Sequence, residues 1–323
     1  MEQKKLYKPI GKELAAAEAL VGRVLSDAED PALREMNALL LKSKGKKLRP
    51  AFVLLSGYAA NEQGAKKSRD SLIKTAAAFE LIHLATLVHD DVMDDNLTRH
   101  GLPTINKKHG NAAAIGVGDF LFSKAFVLLA DANNPDIIGI ASKAIAVVCE
   151  GQICQLARRG STKLTMEEGY SIIEKKTAAL FAAACEAGAL IARGNTKAAT
   201  EFGHHFGIAF QLVDDYFDIM GTGKMLGKKP GENLHEGEAT IPLLMLLQKM
   251  APGQKKALEK KMFTKKGITA VRRAMRQCAI GKDVAKAVEE ELEMAASQLD
   301  SSSPCSQSLL VACSLLQERI SVR

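Results

Sequence analysis

The chain has 323 residues, a formal net charge of +7, 47% hydrophobic residues, 5% aromatics and no Trp. That length suffices for one large domain or two ordinary ones, and an apolar share concentrated in Ala, Leu and Ile suits close-packed helices better than sheets. Basic residues are dispersed, with no run that interleaves Arg or Lys with aromatic stacking platforms, so the charge does not select a nucleic-acid partner and leaves a phosphorylated small substrate open.

The N-terminal MEQKKLYKPIGKEL carries acids and lacks the continuous apolar core of a signal peptide. No apolar run approaches the roughly 20 residues of a membrane span. The six cysteines, Cys149, Cys154, Cys185, Cys278, Cys305 and Cys313, show no C-x-x-C spacing and read as reduced thiols. A cytoplasmic protein without a transmembrane segment is the expectation. No linker, low-complexity tract or internal repeat divides the chain, which predicts a single all-helical domain over residues 1–323.

In chain order, apolar residues recur at a period of 3.6 over residues 12–25, 71–95, 112–130, 135–157, 165–193 and 196–220, each predicted as a helix. Short polar or Gly/Pro breaks separate them, which implies antiparallel neighbours in a bundle. Residues 221–240, rich in Gly and Lys, read as a mobile loop. Helices are predicted again over 254–262, 268–280 and 283–299, then a Ser-rich turn and a final helix.

The sharpest chemistry is His89-Asp90-Asp91-Val92-Met93-Asp94-Asp95, which ends the apolar run FELIHLATLVH. Asp90, Asp91 and Asp94 fall on one side of a helix end, where negative charge opposes the helix dipole unless cations are bound. Hard oxygens in this number suit Mg²⁺ shared with phosphates. The spacing recurs at Asp214-Asp215-Tyr216-Phe217-Asp218, again after an apolar helical segment, and the pair is far more specific than either copy. Candidate diphosphate-binding cations are Lys46 and Arg49 in Gly45-Lys46-Lys47-Leu48-Arg49-Pro50, Arg99 beside His100, Lys176 beside Thr177, and Lys228 in the Gly-rich loop, where a moving cation could close over substrate. In isolation the Gly45–Pro50 cations read rather as a solvated basic loop, and a lone Lys such as Lys176 is usually a snorkelling surface residue. His83 lies two helical turns before Asp90 on the same face, and on an apolar face a lone His is more often a core residue; Gln155 and Gln211 share that ambiguity. His204 and His205 read as structural.

Together these motifs resemble the trans-isoprenyl diphosphate synthases, closest to the medium- and long-chain members. ELIHLATLVHDDVMDDNLTRHGLPT looks like their first aspartate-rich region, and FQLVDDYFD with LGKKPGENLHEGEATIPLL looks like their second. GKKLRP, GVGDFLFSKAF and KTAAL resemble their GKxxRP, GD and Lys-Thr motifs, collinear over about residues 40–245. The resemblance implies an all-α bundle around a deep apolar cavity, usually a homodimer. It also implies condensation of isopentenyl diphosphate with an allylic diphosphate. On this likeness Asp90, Asp91, Asp94, Asp214 and Asp218 would hold Mg²⁺, about three ions. Arg99, Lys176, Gln211 and Lys228 would contact the allylic diphosphate, with Asp90, Asp91, Lys176, Asp214 and Lys228 serving the catalytic step. Lys46, Arg49 and His83 would hold the isopentenyl diphosphate, with His100 and Thr177 as further substrate contacts.

Four positions depart from that family's pattern: Lys44 for a Gly, His100 for an Arg, Asn233 for an acid and Glu238 for a Lys. Small residues at Ala85 and Thr86, below the first motif, favour a hexa- to octaprenyl product. A farnesyl or geranylgeranyl synthase and a weakly active subunit of a heteromeric synthase are the alternatives.

Overall fold

The computed structural model describes residues 5–42, 45–222, 230–264 and 267–321. They are helical almost throughout, as the periodicity predicts, and cluster into two compact units, one of residues 1–145, 181–203 and 299–311, the other of 146–180, 204–298 and 312–323.

The first unit is organised on the helix Arg69–Met93. Its interior, KTAAAFELIHLA, is free of Gly and Pro and puts Phe79, Leu81 and Ile82 at 0% exposure. The helices Asn111–Ala130, Leu48–Ala60 and Gly11–Ser26 pack against it. Phe52 joins Phe181 and Phe202, with ring centroids 5.4 and 5.8 Å apart, in the apolar core of this unit. The aspartate helix stops inside its own motif. Asp95 takes φ 50°, its N–H and that of Asn96 turn back to Val92 O and Asp91 O, and a Schellman-type end results with Asp where Gly is usual.

The second unit is built around Ile241–Lys249, which packs against Met166–Ile173, Gly267–Gln277 and Ile280–Ala296. Thr165 and Glu168 close a capping box on Met166–Ile173. The helix continues to Ile191, with a π-helical stretch at Glu174–Ala178. The second aspartate helix is Thr196–Met220. Arg272 caps its C-terminus in this unit, donating to Ile219 O and Gly221 O, both at 2.6 Å, so the C-terminal region supports the motif structurally.

Four expectations are corrected. Thr98–Arg99 and Leu102–Pro103 form a two-residue antiparallel ladder in a chain expected to be all-helical. His100 and Gly101, at φ 51° and 79°, make its two-residue turn, whose backbone matches the strand twist. Within the stretch read as a loop, Glu232–His235 is a helix with Leu234 buried; residues 223–229 lie outside the described ones. The predicted 268–280 and 283–299 helices are Gly267–Gln277 and Ile280–Ala296, broken where Ala279 adopts φ 52°. Three helices, Arg69–Met93, Asn111–Ala130 and Pro135–Arg158, are long and apolar enough to cross a membrane by length and composition, because alanine-rich turns keep mean hydropathy high around isolated charges. The apolar window of the first is 72% buried within the protein, and those of the other two 39% and 33%.

Candidate active site

The first unit gathers the first motif and the cations assigned to isopentenyl diphosphate. Asp91 is 6% exposed, while Asp90 and Asp94 are half-buried. Arg99 grips Asp91 with Nη2 at 2.8 Å and Nε at 3.0 and 3.1 Å to its two oxygens. Burial pushes the Asp91 carboxyl up from its usual range, Arg99 opposes this, and neighbouring Asp94 adds to it. The loop after the motif is tied back to the helix end: Asn106 donates to Asp91 O and Asn96 O, and Thr104 Oγ1 donates to Asn96 O.

Arg49 Nη1 lies 3.1 Å from His83 Nε2, and its guanidinium is 4.6 Å above the Phe181 ring. Burial lowers the Arg49 pKa to about 10, still far above neutrality. His83 is held well below its ordinary value by burial and then by Arg49, Arg99, Lys47 and His100, so it is neutral and accepts from Arg49. Lys46 is exposed, and its carbonyl accepts from Tyr7 Oη. Lys47, at φ 55°, turns inward to Glu80 at 2.9 Å. His100, at the hairpin turn, is also lowered, by burial and by Arg99, so its charge is absent at neutral pH.

The second unit gathers the second motif with the Lys-Thr pair. The π stretch brings both residues of that pair to partners: Lys176 Nζ donates to Gln155 Oε1 at 2.6 Å and Thr177 Oγ1 to Gln211 Oε1 at 2.7 Å. A Cβ on Gly207 would come within 2.5 Å of Ala178 Cα, so only glycine allows that approach. Gln211 Nε2 then donates to Asp215 Oδ1 at 2.7 Å, completing a Thr177–Gln211–Asp215 relay of contacts. Asp218 accepts the Gly231 N–H on its carbonyl and the Asn233 N–H on Oδ2, and Asn233 Nδ2 reaches Asp215 Oδ1 at 3.4 Å.

Asp215 and Asp218 are 4% and 1% exposed; Asp214 is half-buried. The Asp215 carboxyl is pushed well above its usual range by burial, eased by Gln211, with Asp214, Glu238 and Asp218 raising it further. Packing like-charged carboxylates away from water is costly without cations, and their hard oxygen donors fit Mg²⁺.

Among the described residues, the sequence reading therefore finds Arg49 with His83, Arg99 with Asp91, and Lys176, Thr177 and Gln211 around the second motif. Lys228 and Lys44 lie outside those residues. His205 pairs with Glu291 at 2.8 Å, a partner 86 positions away that local spacing does not reveal. The reading quoted Asp215 within the second motif but named only Asp214 and Asp218 as ligands. It did not single out Arg159, which reaches Glu238 at 3.1 Å and Glu236 at 3.3 Å.

A family profile described as Polyprenyl synthetase matches residues 30–278. The chain is 37% identical over 250 residues to heptaprenyl diphosphate synthase component 2 of Geobacillus stearothermophilus, covering 76% of each protein. It is 30% identical over 306 residues to octaprenyl diphosphate synthase of Escherichia coli, covering 93% of each. Among solved structures, a polyprenyl synthase from Caulobacter crescentus complexed with calcium and isoprenyl diphosphate is similar, with a TM-score of 0.88 and 28% identity over 98% of this chain and 97% of that one.

Proposed function

The chain belongs to the polyprenyl synthetase family and is a prenyltransferase, and we propose that it elongates an allylic diphosphate with isopentenyl diphosphate through two Mg²⁺-binding aspartate motifs. The carrying observation is that both DDxxD motifs end buried helices, with Asp91, Asp215 and Asp218 each at most 6% exposed. No structural need of a folded helix explains so many buried carboxylates. The calcium and isoprenyl diphosphate in the Caulobacter crescentus enzyme are consistent with oxygen-rich divalent sites.

In this reading Asp90, Asp91 and Asp94 of the first motif would hold Mg²⁺, and so would Asp214, Asp215 and Asp218 of the second. Bound Mg²⁺ neutralises charge that develops on the departing diphosphate. Arg99, released from Asp91, and Lys176, released from Gln155, turn toward diphosphate oxygens, and Lys228, outside the described residues, is assigned to the same group. Thr177 and Gln211 fix the orientation of Asp215. Arg49, supported by His83 and Phe181, and Lys46 hold the second diphosphate, with His100 beside it. The allylic C–O bond breaks, the isopentenyl double bond attacks the resulting cation, and the released diphosphate takes the proton. No nucleophilic side chain is required.

We propose a hexa- to octaprenyl product, because Ala85 is small and fully buried below the first motif. The protein works as one domain in the cytoplasm and as a homodimer. The exposed Ile115 and Val127 on Asn111–Ala130 support a partner-covered face, being 47% and 54% exposed. The likeness to a heptaprenyl diphosphate synthase component 2 of Geobacillus stearothermophilus favours one second reading, a component that needs another chain. Purified protein with Mg²⁺, labelled isopentenyl diphosphate and farnesyl diphosphate tests both readings. Elongated products are expected from the chain alone; the absence of Mg²⁺-dependent elongation from any allylic primer would overturn the assignment.

A further inference from the structure

The segment that departs from the family at Glu238 is answered by a residue 79 positions earlier. Arg159 follows the helix Pro135–Arg158. Next to it Gly160, at φ 76°, donates its N–H to Gly237 O at 2.8 Å, and Gly237 itself is at φ 83°. A Cβ on Gly237 would approach Gly160 N to 2.9 Å, so the two turns meet backbone to backbone. Across this junction Arg159 Nη2 contacts Glu238 Oε1 at 3.1 Å and Glu236 Oε2 at 3.3 Å.

Glu238 is 6% exposed and its charge acts on Asp215. Its N–H donates to Asn233 O at 2.9 Å, which links the two departures directly. The resemblance would place an acid at position 233, where this chain has Asn233. A carboxylate there would bring a second acceptor to Asp215 Oδ1, 3.4 Å from the present amide nitrogen, whereas the amide donates. The resemblance would place a lysine at position 238, where it would meet Arg159 head-on.

We propose that Arg159 is a positioning residue for prenyl transfer: through Glu238, whose backbone is tied to Asn233, it holds the Asp215 cluster in its diphosphate-binding arrangement. This rests on the assignment of the second aspartate motif to the metal-bound diphosphate. Without Arg159, Glu238 would lose the guanidinium 3.1 Å from it, and more of its negative charge would act on Asp215.

The test compares the full-length wild type with Arg159→Ala, Glu238→Lys, the double variant carrying both, and Arg159→Lys. Melting temperature without Mg²⁺ is read beside kcat, KM for the allylic diphosphate, and the Mg²⁺ concentration giving half-maximal rate. Each single charge-breaking variant should lose at least about tenfold in kcat/KM, require more Mg²⁺ and melt lower, and the double should return to within about threefold of wild type. Arg159→Lys, which keeps the charge, should retain part of the activity. Losses in the double equal to the product of the single losses would overturn the proposal. So would an Arg159→Ala protein that melts lower yet keeps the wild-type kcat, KM and Mg²⁺ requirement. An inactive wild type would instead overturn the reading of the site, and the melting cycle, which needs no turnover, separates the two failures.

Discussion

His83 accepts from Arg49 while Arg49, Arg99 and Lys47 press positive charge around it. Its pKa is well below 6.5 in the folded protein, so below that pH the unfolded chain takes up a proton that the folded protein resists. Stability from this group is therefore fully present above about pH 6.5 and falls as pH drops, by at most about 1.4 kcal/mol per pH unit. His100, also lowered, contributes with the same sign. Melting temperature should decline from pH 7 to pH 5.5, and His83→Gln should make that decline shallower; an unchanged slope would show that other groups dominate. At Ala85 the expectation concerns product size. The side chain is fully buried, and Ala85→Phe should shorten the products resolved by chromatography. An unchanged ladder would place the length stop elsewhere.

At the scale of elements, Gly118 sets how closely Asn111–Ala130 packs on the first aspartate helix. A Cβ there would lie 2.1 Å from His89 Nε2, whose ring also meets Ile115 O and Phe122. Gly118→Ala should destabilise the protein by about 1–3 kcal/mol in denaturant titrations and lower the elongation rate, because His89 adjoins Asp90. A fully stable variant would mean that the ring swings away freely. The long helices were legible because their burial follows a 3.6-residue period, and 196–220 agrees at both ends. The end of 71–95 was not, since Asp95 rather than Gly takes the left-handed position. The π stretch left no sequence mark either, because it depends on what Lys176 and Thr177 meet on other helices. Within the site, motif residues were readable from spacing. Their partners were not: Lys47 turns to Glu80 and Arg159 to Glu238, pairings made by tertiary packing across 33 and 79 positions.

For the whole molecule, the dispersed positive charge agrees with diphosphate substrates, but composition could not show which cations are spent on internal carboxylates. Composition also hid the exposed apolar faces, since the same alanine-rich helices have buried and open sides. Light scattering after size exclusion without detergent should give twice the 34.7 kDa chain mass. Ile115→Lys with Val127→Lys should shift it toward the monomer, and a monomeric wild type would contradict the homodimer.

The central claim, that two aspartate motifs bind the metal that elongation requires, is tested most directly by incorporation of labelled isopentenyl diphosphate across a Mg²⁺ titration. Wild type should elongate only with Mg²⁺. Asp91→Ala and Asp214→Ala should each lose at least about 100-fold and need more metal, in line with several kcal/mol of metal-mediated stabilisation. Wild-type rates and wild-type Mg²⁺ dependence in either variant would contradict the account.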